Sequence, residues 1–210
     1  MWNDPRNRYL WSLGALKPQA LTATLILVLA IPLLQGCAAV VVGGVASAAS
    51  VAHDRRDSRT LLEDQHIELA AAQLLTDNPD IGRHSRIAIT SYNYLVLLTG
   101  QAETQRISDR FAQMVARLPK VKKVINEIRI GPSASLTRES EDALITSRVK
   151  LALTKIQIPG FDATRVKVVT EEGTVFLMGL VYPPEASAAA EKARYVPGVA
   201  RVVKVFEYTK

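Results

Sequence analysis

The sequence predicts an α+β fold made of two tandem copies of one unit of roughly 70 residues, each running helix, strand, strand, helix, strand. Three observations carry this. The first is an internal repeat. Arg86–Thr90 (RIAIT) matches Arg165–Val169 (RVKVV), and Val96–Gly100 (VLLTG) matches Val175–Gly179 (VFLMG), both at an offset of 79 residues. Leu118-Pro119-Lys120-Val121 matches Val196-Pro197-Gly198-Val199 at an offset of 78. The second observation is that helical and strand periodicities alternate within each copy. The third is a connector between the copies, Gly131–Thr137 (GPSASLT), with turn- and linker-like composition.

The second copy reads most clearly. Ile145, Val149, Ala152 and Ile156 recur at helical spacing, and Pro159-Gly160 is expected to stop that helix. Val166 and Val168 alternate with Lys167, as in a half-buried strand. Glu171-Glu172-Gly173 is a hairpin turn, and Val175–Leu180 is the returning strand. Pro184–Tyr195 is rich in alanine and glutamate and forms helices readily. Pro197-Gly198 breaks it, and Val199–Tyr208 is the last strand. The first copy follows the same plan, with a longer turn at Ser91–Tyr94. Gly100 and Gly179 stand at the same strand end. No G-x-G-x-x-G follows either of them, so they are read as backbone positions that need close approach or positive φ rather than as phosphate loops.

Ahead of the repeat lies a leader. Residues 1–19 hold three cations and one acid, Leu21–Leu34 is an uncharged apolar run, and Leu34-Gln35-Gly36-Cys37 follows. A basic segment, an apolar core and a small residue at the cleavage point make a secretory signal. Leu34-x-Gly36-Cys37 resembles the lipobox, in which the cysteine is acylated and becomes the new amino terminus; its thiol is then consumed and cannot act as a nucleophile. An uncleaved membrane span is the alternative, but Pro32 interrupts the apolar stretch and Ala38–Ala52 is only weakly hydrophobic. The expected organisation is a signal over residues 1–36, a lipidated start and tether over 37–58, the first copy over 59–131, a linker over 132–138 and the second copy over 139–210.

Composition excludes several classes of function. Cys37 is the only cysteine, which rules out an internal disulfide. The formal net charge is +6, and the leader accounts for +2 of it. The remaining mild positive charge is dispersed, without the dense basic tracts of a nucleic-acid binder, but it favours an anionic membrane surface. His53, His66 and His84 show no metal-ligand spacing. Glu171-Glu172 has no accompanying base or nucleophile and reads as a solvated turn, and Lys120, Lys122 and Lys123 read as a solvated strand edge. No catalytic residue, metal or cofactor is expected.

The pattern V-x-V, G-x-V-x-L-x-G and V-P-G-V resembles the BON domain. Val166-Lys167-Val168, Gly173–Gly179 and Val196-Pro197-Gly198-Val199 carry the resemblance in the second copy. The first copy departs from it with Asn93-Tyr94 near the turn glycine and Lys120 in place of the later glycine. A lipobox followed by two such units is similar to dual BON-domain lipoproteins linked to envelope stress and division. The resemblance implies a small three-stranded mixed sheet with two helices on one face in each unit. It also implies an outer-membrane lipid anchor facing the periplasm, anionic phospholipid binding by the second unit, and no enzymatic activity. Ala38 after the cysteine, where an Asp would favour the inner membrane by known sorting rules, agrees with the outer membrane.

The residues themselves point to one lipid-facing surface. On the helix opening the second copy, Leu144, Arg148, Leu151 and Lys155 form a stripe beside the core stripe, with Lys150 on the polar side. Leucines below the headgroups and cations on the phosphates suit an interfacial helix. The expected partner is a membrane containing phosphatidylglycerol or cardiolipin. The corresponding helix of the first copy carries Glu63, Asp64 and Glu68 and is expected to be repelled by such a surface. That makes the first copy a packing or partner module, and envelope proteins are a second class of partner.

Overall fold

The structure, a computed structural model, describes residues 54–209. The leader, Cys37 and the segment up to His53 lie outside the described residues. Each repeat folds as the α+β unit expected. The first has helix α1 (Ser58–Asp77), a short helix α2 (Pro79–Gly82), strands β1 (Ser85–Tyr92) and β2 (Leu95–Ala102), helix α3 (Gln105–Ala116), and strands β3 (Lys123–Asn126) and β4 (Arg129–Ile130). The second has helix α4 (Leu136–Leu153), a 3-10 turn at Ala163–Arg165, strands β5 (Lys167–Glu171) and β6 (Thr174–Val181), helix α5 (Pro183–Arg194) and strand β7 (Arg201–Tyr208).

Helix starts follow from local chemistry. The Asp57 carboxylate accepts the Thr60 amide at 2.6 Å and caps α1, while Thr104 and Ser135 cap α3 and α4. Pro183 and Pro184 open α5, where a missing N–H is tolerated, and Glu185 accepts the Tyr182 amide at 2.8 Å. Because Ser135 is a cap, α4 begins inside the expected linker.

In each sheet the hairpin is antiparallel and the last strand returns parallel to the central one, so β2 and β6 lie in the middle. β3 and β4 pair with β2 at one common offset, from Leu98 opposite Asn126 to Gln101 opposite Arg129, and so form a single strand interrupted at Glu127-Ile128. Both hairpins turn through two residues of positive φ, Asn93 (54°) with Tyr94 (70°) and Glu172 (46°) with Gly173 (74°). These are the turns that match the twist of antiparallel strands.

The helices pack on one face of each sheet. Val96 and Leu98 of β2 join Ile67, Ala71, Phe111 and Val115 in the first core. Val175 and Leu177 of β6 join Ile145, Val149, Leu153 and Ala189 in the second. The alternate residues of the same strands point the other way. Tyr92, Leu95 and Leu97 meet Phe176, Met178 and Val205 in a third apolar cluster. The two sheets therefore face each other, and the layers run helices, sheet, sheet, helices. This arrangement was not foreseen, although the signal was present: Leu95–Leu98 and Val175–Met178 are continuous apolar runs, and a strand buried on both faces lacks alternation.

Polar contacts rim this interface. Asn93 Nδ2 donates to Glu207 at 2.8 Å, Lys167 Nζ meets Glu68 at 3.0 Å, and Gln101 Nε2 donates to Glu171 at 2.6 Å. Burial, the largest influence, holds the Glu171 carboxyl above its ordinary pKa, and the nearby Asp142 and Glu139 push the same way against the Gln101 hydrogen bond. A raised folded-state pKa means that the favourable contribution is present in acid and is lost as pH rises through that value. Glu171→Gln keeps an acceptor for Gln101 and removes the charge. It is expected to raise the Tm by a few degrees at neutral pH and to leave it unchanged in acid below the ordinary carboxylate range, as read by thermal melts at both pH values.

Candidate functional site

Helix α4 is the element singled out by sequence. Its inner face buries Asp142, Ile145, Val149 and Leu153. The helix ends at Leu153, six residues before Pro159, because Thr154 caps it by donating its hydroxyl to the Leu151 carbonyl at 2.8 Å. Leu153 thus takes the core position expected of Ile156, which packs against the second core from beyond the helix end. Lys155 also lies past the helix, so the expected stripe ends at Leu151.

Leu144 and Leu151 are 56% and 62% exposed, and Leu136 near the helix start is 76% exposed. Neither Leu144 nor Leu151 belongs to any of the three apolar clusters. At about 100° per residue these two leucines fall about 20° apart, with Arg148 about 50° to one side and Lys150 about 110° to the other. Arg148 leans on the Pro197 carbonyl at 3.5 Å.

The acids of α4 are all engaged elsewhere. Glu139 pairs with Arg86 at 2.5 Å and Glu141 with Arg138 at 2.8 Å. Asp142 is buried, accepting the Glu172 and Gly173 amides at 2.7 and 2.8 Å. Among the described residues, no acid pairs with Arg148, Lys150 or Lys155. The carboxyl-terminal half of α4 therefore presents two bare leucines between unneutralised cations. Beyond it, Ile156, Gln157, Ile158, Ala188, Glu191, Lys192 and Tyr195 line a shallow, mostly apolar groove of about 350 Å³.

Helix α1 of the first domain differs from the expectation. Glu63, Asp64 and Glu68 do not form a repulsive face. Glu63 pairs with Lys120. Glu68 accepts the Ser91 amide at 2.7 Å as well as Lys167. Asp64 is buried, and accepts from the Ser91 hydroxyl at 2.7 Å and from the amides of Asn93 and Tyr94 at 2.7 and 2.8 Å. Asp64 and Asp142 are equivalent positions of the repeat, each holding its own hairpin turn. Sequence reading missed this role; an acid at the same place in both opening helices was the available signal. Lys120 has φ 69° where the second copy has Gly198 at 96°.

The two glycines are placed by steric demand. Gly100 has φ 105°, and a Cβ there would fall 2.0 Å from the Arg86 carbonyl oxygen. At Gly179 the corresponding distance to the Arg165 carbonyl oxygen is 2.6 Å, without positive φ. Among the described residues there is no group of side chains that could hold a metal ion, and no helix is long and apolar enough to cross a membrane.

Comparison with known proteins places this architecture. Residues 63–132 and 141–210 each match the BON domain. The chain is 38% identical over 176 residues to the outer membrane lipoprotein DolP of Haemophilus influenzae, covering 83% of this chain and 90% of that one. It is also 38% identical over 157 residues to a 21 kDa hemolysin of Actinobacillus pleuropneumoniae, covering 75% and 80%. A solved structure of CdsD, a structural protein of the type III secretion system of Chlamydia trachomatis, aligns over 70% of this chain and 63% of its own at 13% identity and a TM-score of 0.26. That last likeness is too weak to carry an argument. With both repeats matched and most of the chain shared with a lipoprotein relative, the protein belongs to the dual BON-domain lipoproteins of the DolP type.

Proposed function

We propose that this outer-membrane envelope lipoprotein is held by lipid on Cys37, faces the periplasm, and recognises anionic phospholipid through the carboxyl-terminal half of α4, without enzymatic activity. The observation that carries the reading is the exposure of Leu144 and Leu151 between Arg148 and Lys150, with every acid of the same helix already paired or buried. Each leucine, a little over half exposed, contributes roughly 1–2 kcal/mol when sunk to the acyl boundary. Each cation near an anionic surface contributes about 1 kcal/mol, and less as salt rises. Lys155, beside the helix end, adds to the same surface. A lipid anchor supplies constant attachment, so a weak surface of this kind selects where in the membrane the protein dwells.

The test is cosedimentation with phosphatidylglycerol, cardiolipin and phosphatidylcholine vesicles. Binding is expected on the first two only, and Leu144→Glu with Leu151→Glu should lower it at least roughly tenfold with little change in stability, because both side chains are exposed. Undiminished binding by that double variant would refute the assignment. A second reading, docking of an envelope protein on the first domain, is favoured by Leu62 and Leu69, which are 58% and 68% exposed on α1. Crosslinking from those two positions in cells tests it, and recovery of lipid alone would count against it.

A further inference from the structure

The stretch Asp54–Ser58 ends the segment read as tether, yet its two arginines are held in opposite directions. Arg55 reaches the second domain. Its guanidinium makes a two-pronged contact with Glu185, at 2.6 and 2.8 Å, donates to the Leu180 carbonyl at 3.0 Å, and stacks over the Tyr182 ring at 4.5 Å. Arg56 reaches the first domain. It contacts Asp64 at 2.8 Å and stacks over Tyr92 at 3.7 Å, while Asp54 braces it at 2.7 Å. The side chains of Arg56, Asp54, Asp64 and Glu185 are all at least nine-tenths buried. Buried charges this well matched are bound by a rigid planar fork rather than by a mobile surface contact.

We propose that Arg55 and Arg56 form a clasp that joins the two domains at one end of their sheet–sheet interface. Consecutive residues whose side chains grip different domains cannot be displaced separately, because one backbone carries both. Tyr92 ties the clasp to the interface: its ring belongs to the apolar cluster between the sheets, and its hydroxyl meets Asp54 at 3.4 Å and the Arg165 carbonyl at 3.3 Å. The clasp also points toward α4. Glu185 lies 4.0 Å from Arg165, which in turn donates to the Gly160 carbonyl in the loop that follows that helix. Asp54–Arg56 thus lie at the end of the second domain where the basic half of α4 terminates.

Amide exchange on the full chain in detergent micelles tests the clasp. The informative substitution is Arg56→Ala, which removes contacts made only within the segment and the first domain. It is expected to speed exchange at Tyr182 and Ala186 of the second domain roughly tenfold, with Arg55→Ala doing the same at Asn93 and Tyr94 of the first. The amides of Val96 and Leu177, at the centres of the two sheets, report that the fold is kept; if they too lose protection, Arg56→Lys retains the charge while losing the fork. Changes confined to the domain each arginine touches would overturn the clasp.

Discussion

Replacing Asp64 with alanine is expected to destabilise the first domain by about 4 kcal/mol, a large share of the stability of a domain this small. One buried carboxylate holds four donors: the Ser91 hydroxyl, the amides of Asn93 and Tyr94, and the Arg56 guanidinium. Alanine removes the acceptor and leaves the donors in place. Two of them are backbone amides in a turn whose residues both have positive φ, and one is tyrosine, which adopts that conformation reluctantly. The second domain places Gly173 at the matching position, and there Asp142 accepts only two amides. Asp142→Ala is therefore expected to cost less, about 2–3 kcal/mol. Asp64→Asn should fall between wild type and Asp64→Ala, since an amide keeps one acceptor and turns two hydrogens toward groups that are themselves donors. Urea denaturation, followed through the exchange of the Asn93 and Tyr94 amides, gives the order. A larger loss for Asp142→Ala than for Asp64→Ala would show that the tyrosine turn does not depend on the carboxylate as described.

That comparison marks the limit of what the sequence makes legible. The hairpins and the repeat were readable because a turn between apolar runs is a local event, and because two copies constrain each other, but the longer turn expected at Ser91–Tyr94 is only Asn93-Tyr94, since β1 continues to Tyr92. The exposed stripe of α4 was readable because helical periodicity separates Leu144 and Leu151 from Ile145 and Val149 over short range. The end of α4 was not, because Thr154 stops the helix with a hydroxyl bond that competes on equal terms with continued winding toward Pro159. Nor were the fates of Glu63, Asp64 and Glu68. Glu63 and Glu68 are neutralised by lysines far away in sequence, and Asp64, paired with nearby Arg56, takes its other donors from a hairpin 27–30 residues later; a carboxylate on a helix looks the same whether it faces solvent or such distant groups. Arg55 belongs to the same class, since its partner Glu185 stands 130 residues later. The sheet–sheet interface lies between these cases. Unbroken apolar runs say that both faces of β2 and β6 are covered, but not by what.

Gly100→Ala is the second substitution expected to act strongly, with a loss of at least about 3 kcal/mol. Two penalties coincide. At φ 105° an L-residue is strained wherever it sits, and here the added methyl would fall 2.0 Å from the Arg86 carbonyl oxygen and 3.3 Å from the Ile87 Cα. Neither neighbour can retreat easily. Arg86 and Ile87 both lie within the β1 ladder, Ile87 as the partner of Gly100, and β2 is pinned between β1 and the interrupted third strand with both faces buried. Gly179→Ala should cost less, although it is the equivalent position. Its φ is ordinary, and the clashing carbonyl of Arg165, at 2.6 Å, belongs to the 3-10 turn rather than to a strand. The ladder between β5 and β6 begins one residue away, at Lys167 opposite Met178, so the turn can shift without breaking a strand pair. Thermal melts of the two variants should place Gly100→Ala well below Gly179→Ala. The reverse order would mean that the 3-10 turn, which Tyr92 grips through the same Arg165 carbonyl, is the more rigid of the two seats.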